Sequence, residues 1–487
     1  MKGLRGIASV VVVVLVTLIF SSHAAPRSDI FFVTAKNTLN LNQILSKLGH
    51  VKITPLLGGA IIKIEVLEGN ADDMMQSLKN HPSITNVLPN VEIPFKNQEV
   101  LHDDVEDIFD FDFPQRDYTW WKNNDGGYHL KIYEKNKRTN EKKLTDDFPS
   151  IMGADINLEN AHRIEMGSPE VIVGVIDSGI DLTHPALAHN IYRNPGEIPG
   201  NNTDDDGNGY VDDVNGWNFA KQSGDVSDTR GHGTMVSGVI AGNGDGFEGV
   251  CPQCRILPIV LRDMRTSDLF DAADYIQSRN VKIVNMSAAL DIQRVPEESR
   301  DIATSISHLF VSLLARSGIV FVAAAGNSGR EGNPTMYPAF FEEAIAVGGS
   351  DPWDMYAYFS NYGPWVDIVA PAIDIWTTQL LGKVGPRAGY NYASGTSLAT
   401  PMVAGAAALL LSHYPRITAE EIKQTLLHPD NTTLIDDRSG LRPSVQRLDV
   451  FKALKNPIFE ASELLLEVPN MPDEEKDEMN PLGFVWH

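Results

Sequence analysis

VIVGVID, Val171–Asp177, carries no polar side chain before its last residue. A strand with one wet face alternates apolar and polar residues, so a run that is apolar throughout is covered on both faces. Four more runs without polar alternation follow: RILPIVL (255–261), KIVNMS (282–287), IVFVAAA (319–325) and AIAVGG (344–349). They alternate with helical patterns. That rhythm predicts an α/β domain over residues 151–455, a parallel sheet flanked by helices on both faces. In such a sheet functional side chains gather at the C-terminal ends of the strands. Asp177 stands at one of those ends, where an ionised carboxylate needs hydrogen-bond partners. Alone, it reads equally as a turn cap.

Two other positions invite the same scrutiny. His232 lies between Gly231 and Gly233 in DTRGHGTMVSGVIAG (228–242), where missing side chains leave its ring room to approach other groups. Ser397 lies in YASGTSLATPMVAGAAALLL (392–411), a small polar turn leading into a helix apolar on nearly every face. Pro401 falls near the helix start, where proline is tolerated, and a helix apolar all round belongs in a core. A serine at its N-terminus sits at the positive end of the helix dipole, which favours developing negative charge. Singly, these are a surface histidine and a serine cap.

The three occur together and in order. VIVGVIDSGIDLTHPAL (171–187), RGHGTMVSGVIAG (230–242) and SGTSLATPMVAGAAAL (394–409) resemble the three signature segments of subtilisin-like serine proteases, the subtilase family. The resemblance covers roughly residues 151–455. It implies a subtilisin-like fold and endopeptidase activity on proteins or peptides, with Asp177, His232 and Ser397 as the triad. It also implies an asparagine that stabilises the oxyanion, supplied as Asn327 in FVAAAGNSG (321–329). The segment NMSAAL (285–290) matches the strand that pairs with substrate. Ser287, Ala288, Ala289, Ala324, Gly326 and Met336 are therefore expected at the substrate. Ala289 replaces the usual glycine and Met336 a usually small residue, so the pocket for the residue before the cut is expected to be narrow. No catalytic metal is implied. The alternatives are a silent binding protein on this fold, a calcium-binding structural protein, and an esterase-type acyl transferase.

N-terminal to this domain, Lys2 and Arg5 precede the apolar run IASVVVVVLVTLIF (7–20) and then SSHAAP (21–26). This is the pattern of a secretory signal over residues 1–24, short for a spanning helix; an uncleaved anchor is the rival reading. Export to a secreted or periplasmic location is expected, with no membrane association after cleavage. IFFVT (30–34), LNQILSKL (41–48), VKITPLL (51–57), AIIKIEV (60–66), DDMMQSLKNH (72–81) and ITNVLP (84–89) read as βαββαβ, a small ferredoxin-like α+β unit. By the resemblance, residues 25–97 are a propeptide that assists folding and inhibits the enzyme. Residues 98–150 read as a linker, or a linker holding a β-hairpin insertion, containing the maturation site. Residues 456–487 read as an acidic tail. Cys251 and Cys254 are too few to close a zinc site. A local disulfide is expected in an exported chain, and a redox pair is the alternative.

With 40 lysines and arginines against 64 aspartates and glutamates, the net charge of −24 argues against nucleic acid as a partner. The acidity is densest in NNTDDDGNGYVDDVNGWNF (201–219), where Asp204, Asp206, Asn208, Asp212 and Asp213 offer oxygen ligands suited to calcium. An EF-hand would require a glutamate at Asn215, counting from Asp204, and Pro195 and Pro199 argue against an entering helix. The loop therefore reads as a calcium-stabilised insertion, or else as an uncoordinated acidic loop. Ala186 occupies a position where many family members carry another calcium-ligating aspartate.

Overall fold

The computed structural model describes residues 119–135, 142–244, 246–261, 266–292, 295–383, 385–435 and 442–459. Before residue 119 it describes the strands given below and positions 74, 78 and 79. The expected helix at 41–48 and the acidic tail beyond residue 459 lie outside these residues.

The N-terminal strands are β1 (Val13–Val16), β2 (Asp29–Ala35), β3 (Val51–Leu56), β4 (Ile61–Val66) and β5 (Ile84–Pro89). β2 to β5 form an antiparallel sheet in the order β5-β2-β4-β3, which fits a βαββαβ chain folded in the ferredoxin-like way. Met74, Leu78 and Lys79 are helical, as the reading of 72–81 expects. β1, inside the signal-like run, pairs in parallel with β4 and β5. Next come β6 (Lys96–Asn97) and an antiparallel sheet of β7 (Phe109–Asp112), β8 (His129–Lys135) and β9 (Lys142–Pro149).

The rest of the chain supplies α1 (Leu158–Ala161), β10 (Ile172–Asp177), β11 (Trp217–Asn218), α2 (His232–Ala241) and the short pair β12 (Asn243–Gly244) and β13 (Phe247–Glu248). Then follow β14 (Arg255–Val260), α3 (Thr266–Ser278), β15 (Ile283–Met286), β16 (Ala288–Asp291), α4 (Glu297–Arg316), β17 (Val320–Ala324), β18 (Met336–Tyr337) and β19 (Ala344–Ser350). Last are β20 (Ile368–Pro371), β21 (Ile375–Thr378), β22 (Tyr390–Ala393), α5 (Thr396–His413), α6 (Ala419–Leu427), β23 (Thr432–Ile435), β24 (Val445–Leu448) and α7 (Val450–Lys455).

The main sheet runs β11-β14-β10-β15-β17-β19-β20-β24-β23, parallel throughout except for the antiparallel edge strand β23. The five apolar runs are its five contiguous strands β14 to β19. Their side chains alternate between two cores. Val173 and Val175, Val320 and Val322, and Ile345 and Val347 point to the face carrying α2 and α5. Phe321 and Ala323, Ala344 and Ala346, and Leu257 and Ile259 point to the face carrying α3 and α4. Both faces are dry, which is why no polar alternation survives in the sequence.

α5 is buried from Thr396 to Leu410. Among the described residues it is the one helix whose length and hydropathy suit a membrane span, and its place in the core accounts for that composition. The stretch 98–150, read as a linker or a linker holding a β-hairpin insertion, contains the β8–β9 pairing and three aromatics that join the core. Trp120, Trp121 and Tyr128 are fully buried, Trp120 Nε1–H donates to the Ile373 carbonyl at 2.9 Å, and the Tyr128 hydroxyl donates to Asp374 at 2.5 Å. Cys251 and Cys254 are joined in a disulfide.

Candidate active site

β10 ends in Asp177, β15 leads directly into Ser287, and β17 leads into Ala325–Gly326–Asn327. All three lie at the same edge of the parallel sheet. Connectivity reverses at β10: the chain proceeds to β11 and β14 on one side and then crosses to β15 on the other. Such a switch point opens a crevice at the C-terminal ends of the strands.

Asp177 and His232 meet there. The imidazole Nδ1 lies 2.8 Å from each carboxylate oxygen of Asp177. Both residues are buried, and the backbone N–H of Ser178 donates a further bond of 2.6 Å to Asp177. A carboxylate only accepts, so Nδ1 carries a proton, and whenever the ring is neutral the lone pair is on Nε2. The glycines on either side of this pair act through the backbone. A β-carbon on Gly233 would lie 2.1 Å from the Gly179 carbonyl oxygen, and one on Gly179 (φ +115°) would lie 2.4 Å from the Val226 carbonyl. Only a chain lacking those side chains brings the start of α2 against the turn after β10.

Asp228 holds this arrangement from below, and the sequence reading passed over it. Its carboxylate accepts from Ser178 Oγ, from the N–H groups of Arg230, Gly231 and Thr234, and from Thr234 Oγ1, at 2.7 to 3.0 Å. The loop before His232 is thus tied to the residue after Asp177. An aspartate four residues before a histidine is an ordinary loop signal, so little in the sequence set it apart. Thr377 and Thr378 add hydroxyl bonds to the carbonyls of Met235 and Thr234, locking α2 onto β21.

Ser397 lies in the first turn of α5, where backbone N–H groups have no acceptor within the helix. Its side chain is fully buried, its hydroxyl donates to the Ser287 carbonyl at 3.2 Å, and the Ser287 hydroxyl donates back to the Ser397 carbonyl at 2.9 Å. Asn327 faces the residue before it. The N–H and hydroxyl of Thr396 both bond the Asn327 amide oxygen at 2.9 Å. A backbone N–H can only donate, so the oxygen end of the amide faces Thr396 and the NH2 end turns away.

The residues expected at the substrate line β16 and its surroundings. Ser287, Ala288, Ala289, Ala324 and Met336 are buried, and Met336 on β18 pairs with Asp291. A β-carbon on Gly326 would lie 2.9 Å from Met336 Cγ, so the thioether packs on the Gly326 backbone. Along the outer side of β16 lies β6, antiparallel, with Asn97 opposite Ala288 and Lys96 opposite Ala289. The sequence reading put these two residues at the end of the 25–97 unit expected to inhibit the enzyme.

In the acidic loop, oxygens of Glu197, Asp206 and Asp213 lie within 4.8 Å of one another. Glu197 was not among the residues singled out from sequence. Asp213 is fully buried and accepts from Asn194, Arg279 and the Tyr275 hydroxyl at 2.6 to 2.9 Å. Asp206 takes a second arm of Arg279 at 3.0 Å. Burial opposes ionisation of Asp206, but hydrogen bonds from Asn194, Arg279 and Asn208 outweigh it and hold the carboxyl at about 2. The other expected ligands face the backbone: Asp204 accepts from the N–H groups of Asn208 and Gly209, and Asp212 from those of Gly200, Asn201 and Asn202. Asn208 donates to Asp213 at 3.3 Å and accepts from the Tyr210 N–H. Ala186 is buried and offers no oxygen ligand from its side chain. Three clustered carboxylates suit a hard cation; Arg279 already supplies positive charge to two of them.

Residues 168–443 match the model of a protein family described as the subtilase family. The chain is 36% identical over 259 residues to a thermophilic serine proteinase of Bacillus sp. (strain AK1), covering 52% of this chain and 55% of that protein. It is 31% identical over 264 residues to subtilisin DY of Bacillus licheniformis, covering 53% and 82% respectively. It is 32% identical over 330 residues to subtilisin-like protease 1 of Plasmodium vivax, covering 60% and 49%. The chain thus spans about half the length of several curated relatives it matches. Among solved structures, fervidolysin from Fervidobacterium pennivorans, described as a keratinolytic enzyme related to subtilisin, shares the fold. Its TM-score is 0.58 at 20% identity, over 93% of this chain and 64% of that one.

Proposed function

The chain belongs to the subtilase family, and from that premise we propose that it is an exported serine endopeptidase, made as a precursor whose N-terminal unit inhibits it. The observation that carries the catalytic reading is the buried Asp177–His232 pair at the sheet's C-terminal edge, beside the helix that presents Ser397. His232 takes the Ser397 proton as the hydroxyl oxygen attacks a peptide carbonyl, then passes it to the leaving amine. Asp177 orients the ring and stabilises its charged form. The Asn327 NH2 group and the Ser397 backbone N–H hold the oxyanion, in a buried site where such donors act strongly. Fluorophosphonate labelling of the processed protein tests this. Labelling and hydrolysis of a denatured protein, both lost in Ser397→Ala, are expected. Binding of peptides without labelling would favour a silent binding protein, and turnover of esters but not peptides an acyl transferase.

The inhibitory reading of residues 25–97 rests on β6, which occupies the side of β16 where an extended substrate would add a strand. The narrow-pocket reading rests on Ala289 and on Met336 packed over Gly326. Cleavage of a peptide library should therefore favour small or medium residues before the cut, and a preference for Phe, Tyr or Lys would reject it. For calcium, Glu197, Asp206 and Asp213 would hold the ion, with a structural role and no part in the chemistry. Binding only the folded state stabilises by mass action. EDTA should lower the melting temperature or speed autolysis, and the absence of both effects rules the role out.

A further inference from the structure

We infer that Asp228 is a positioning residue for the general base: its buried negative charge fixes the His232 end of α2 and favours the charged ring that proton transfer creates. The inference rests on the serine-protease reading above. His232 is the first residue of α2, and the cap residue Gly231 offers no side chain to the helix end. The first N–H groups of a helix have no acceptor within it, and together they make a positive pole. That pole opposes the imidazolium that forms when His232 takes the Ser397 proton.

Asp228 meets both needs. Gly231 and Thr234 each donate an N–H to one of its oxygens. Gly233 donates to Ser178 Oγ, which itself donates to Asp228. Three N–H groups at the head of the helix thus end on one carboxylate–serine unit. Backbone N–H groups only donate, and they reach both Asp228 oxygens, an arrangement that favours the ionised carboxylate. The residue is only 9% exposed, so water screens its charge little. Ser178 follows Asp177, so the same unit also fixes the two members of the Asp177–His232 pair relative to each other.

The other charges around this end of α2 come from four directions. Asp177 bonds the ring directly. Asp181, in the turn after β10, donates its N–H to Thr234 Oγ1 and accepts from the Leu381 N–H. Farther along that turn, His184 is held by the Gly389 carbonyl and the Ala186 N–H. Arg230 and Lys383 are exposed cations on the rim, with the Lys383 ammonium donating to the Arg230 carbonyl at 2.7 Å. β21 and Thr396–Leu410 of α5 carry no charged side chain. Glu248 and Arg255 lie at the opposite end, paired with Asn243 after α2 and with Ile172 at the start of β10. The two rim cations add to the helix pole, and Asp228 opposes them from within the fold.

The test is kcat, KM and the pH profile of kcat/KM for a p-nitroanilide peptide with alanine before the cut, using protein processed from the full chain. Rates are counted per fluorophosphonate-reactive serine for wild type, Asp228→Asn and Ser178→Ala. Asp228→Asn keeps the shape and loses the charge. Its kcat should fall about tenfold or more with KM little changed. Its acid limb should move to lower pH by about half a unit, because the charged ring has lost support. Ser178→Ala keeps the charge, so its kcat should fall while the acid limb stays in place. A folded Asp228→Asn with wild-type kcat, or with an acid limb unmoved or raised, overturns the inference, since lowered stability alone produces neither change. Should Asp228→Asn yield no folded protein, Ser178→Ala decides, and wild-type kcat there overturns the inference. These outcomes leave the protease reading in place; a wild type that neither labels nor turns over the peptide overturns both.

Discussion

Lys122 shows how much of this core works at the level of one side chain. It follows Trp121, and its ammonium lies 5.4 Å from the ring centroids of both Trp121 and Phe247. Burial pushes its pKa down to about 8, with Glu248 and Glu159 offsetting only part of the effect. In the unfolded chain a lysine keeps its proton to about pH 10.4. Between these values the unfolded state binds more protons, so stability attributable to Lys122 rises with pH and its full penalty is felt below about pH 8. Lys122→Met, in a Ser397→Ala background to prevent autolysis, should raise the melting temperature most at pH 7. The gain, on the order of 1–3 kcal/mol, should shrink towards pH 10; a gain that is constant with pH would mean the residue is not held against its charge. At this same scale the three residues proposed as the triad stood out because each sat in a distinctive glycine-rich setting. Asp228 did not, because its five hydrogen bonds come mostly from backbone groups that any sequence possesses.

Among the elements, the ones read correctly are those whose composition is forced by burial on both sides. β10, β14, β15, β17 and β19 have no wet face, and α5 has none either, so their apolar character is continuous. β20 is a four-residue strand, β24 carries Arg447 bonded to Asp354, and β11 is two residues long, and none leaves a periodic trace. The Trp120–Tyr128 segment escaped for another reason. Its buried aromatics are scattered among Lys, Asn, Asp and Gly, so it reads as a loop although it closes the core around Ile373. Trp120→Ala should therefore destabilise by about 3–5 kcal/mol and leave the Ile373 carbonyl without its indole donor. Trp120→Phe should lose less, because most of the volume remains. Melting curves of the two variants check this, and wild-type stability for Trp120→Ala would return the segment to the status of a linker.

Across the whole molecule, the N-terminal region and the subtilase domain meet at several places, two of which are described by named pairings. One is the β6–β16 ladder; the other is an ion pair of 2.5 Å between Lys63 on β4 and Asp271 on α3, whose side chains are about one-fifth exposed. The ladder joins two segments that the resemblance had singled out, the end of the 25–97 unit and NMSAAL, but the ion pair was not legible, since it joins residues far apart in the chain whose types are unremarkable alone. Burial raises the pKa of Asp271, and Lys63 works in the opposite direction, so the interface desolvates a carboxylate and supplies its counter-charge from the other unit. Once the chain is cut between the two units, retention of the N-terminal fragment depends on contacts of this kind rather than on the covalent chain. Lys63→Glu would set two carboxylates against each other and should weaken retention roughly tenfold or more. Gel filtration of the processed protein would then show the fragment separating from the protease, with activity appearing earlier than in wild type. Lys52→Glu, on an exposed lysine that pairs with Glu65 at 3.8 Å and reaches Asp271 only as a weaker, more distant charge, should have a smaller effect. If both variants co-elute with their fragment as wild type does, the ladder alone holds the inhibitor and the ion pair is incidental.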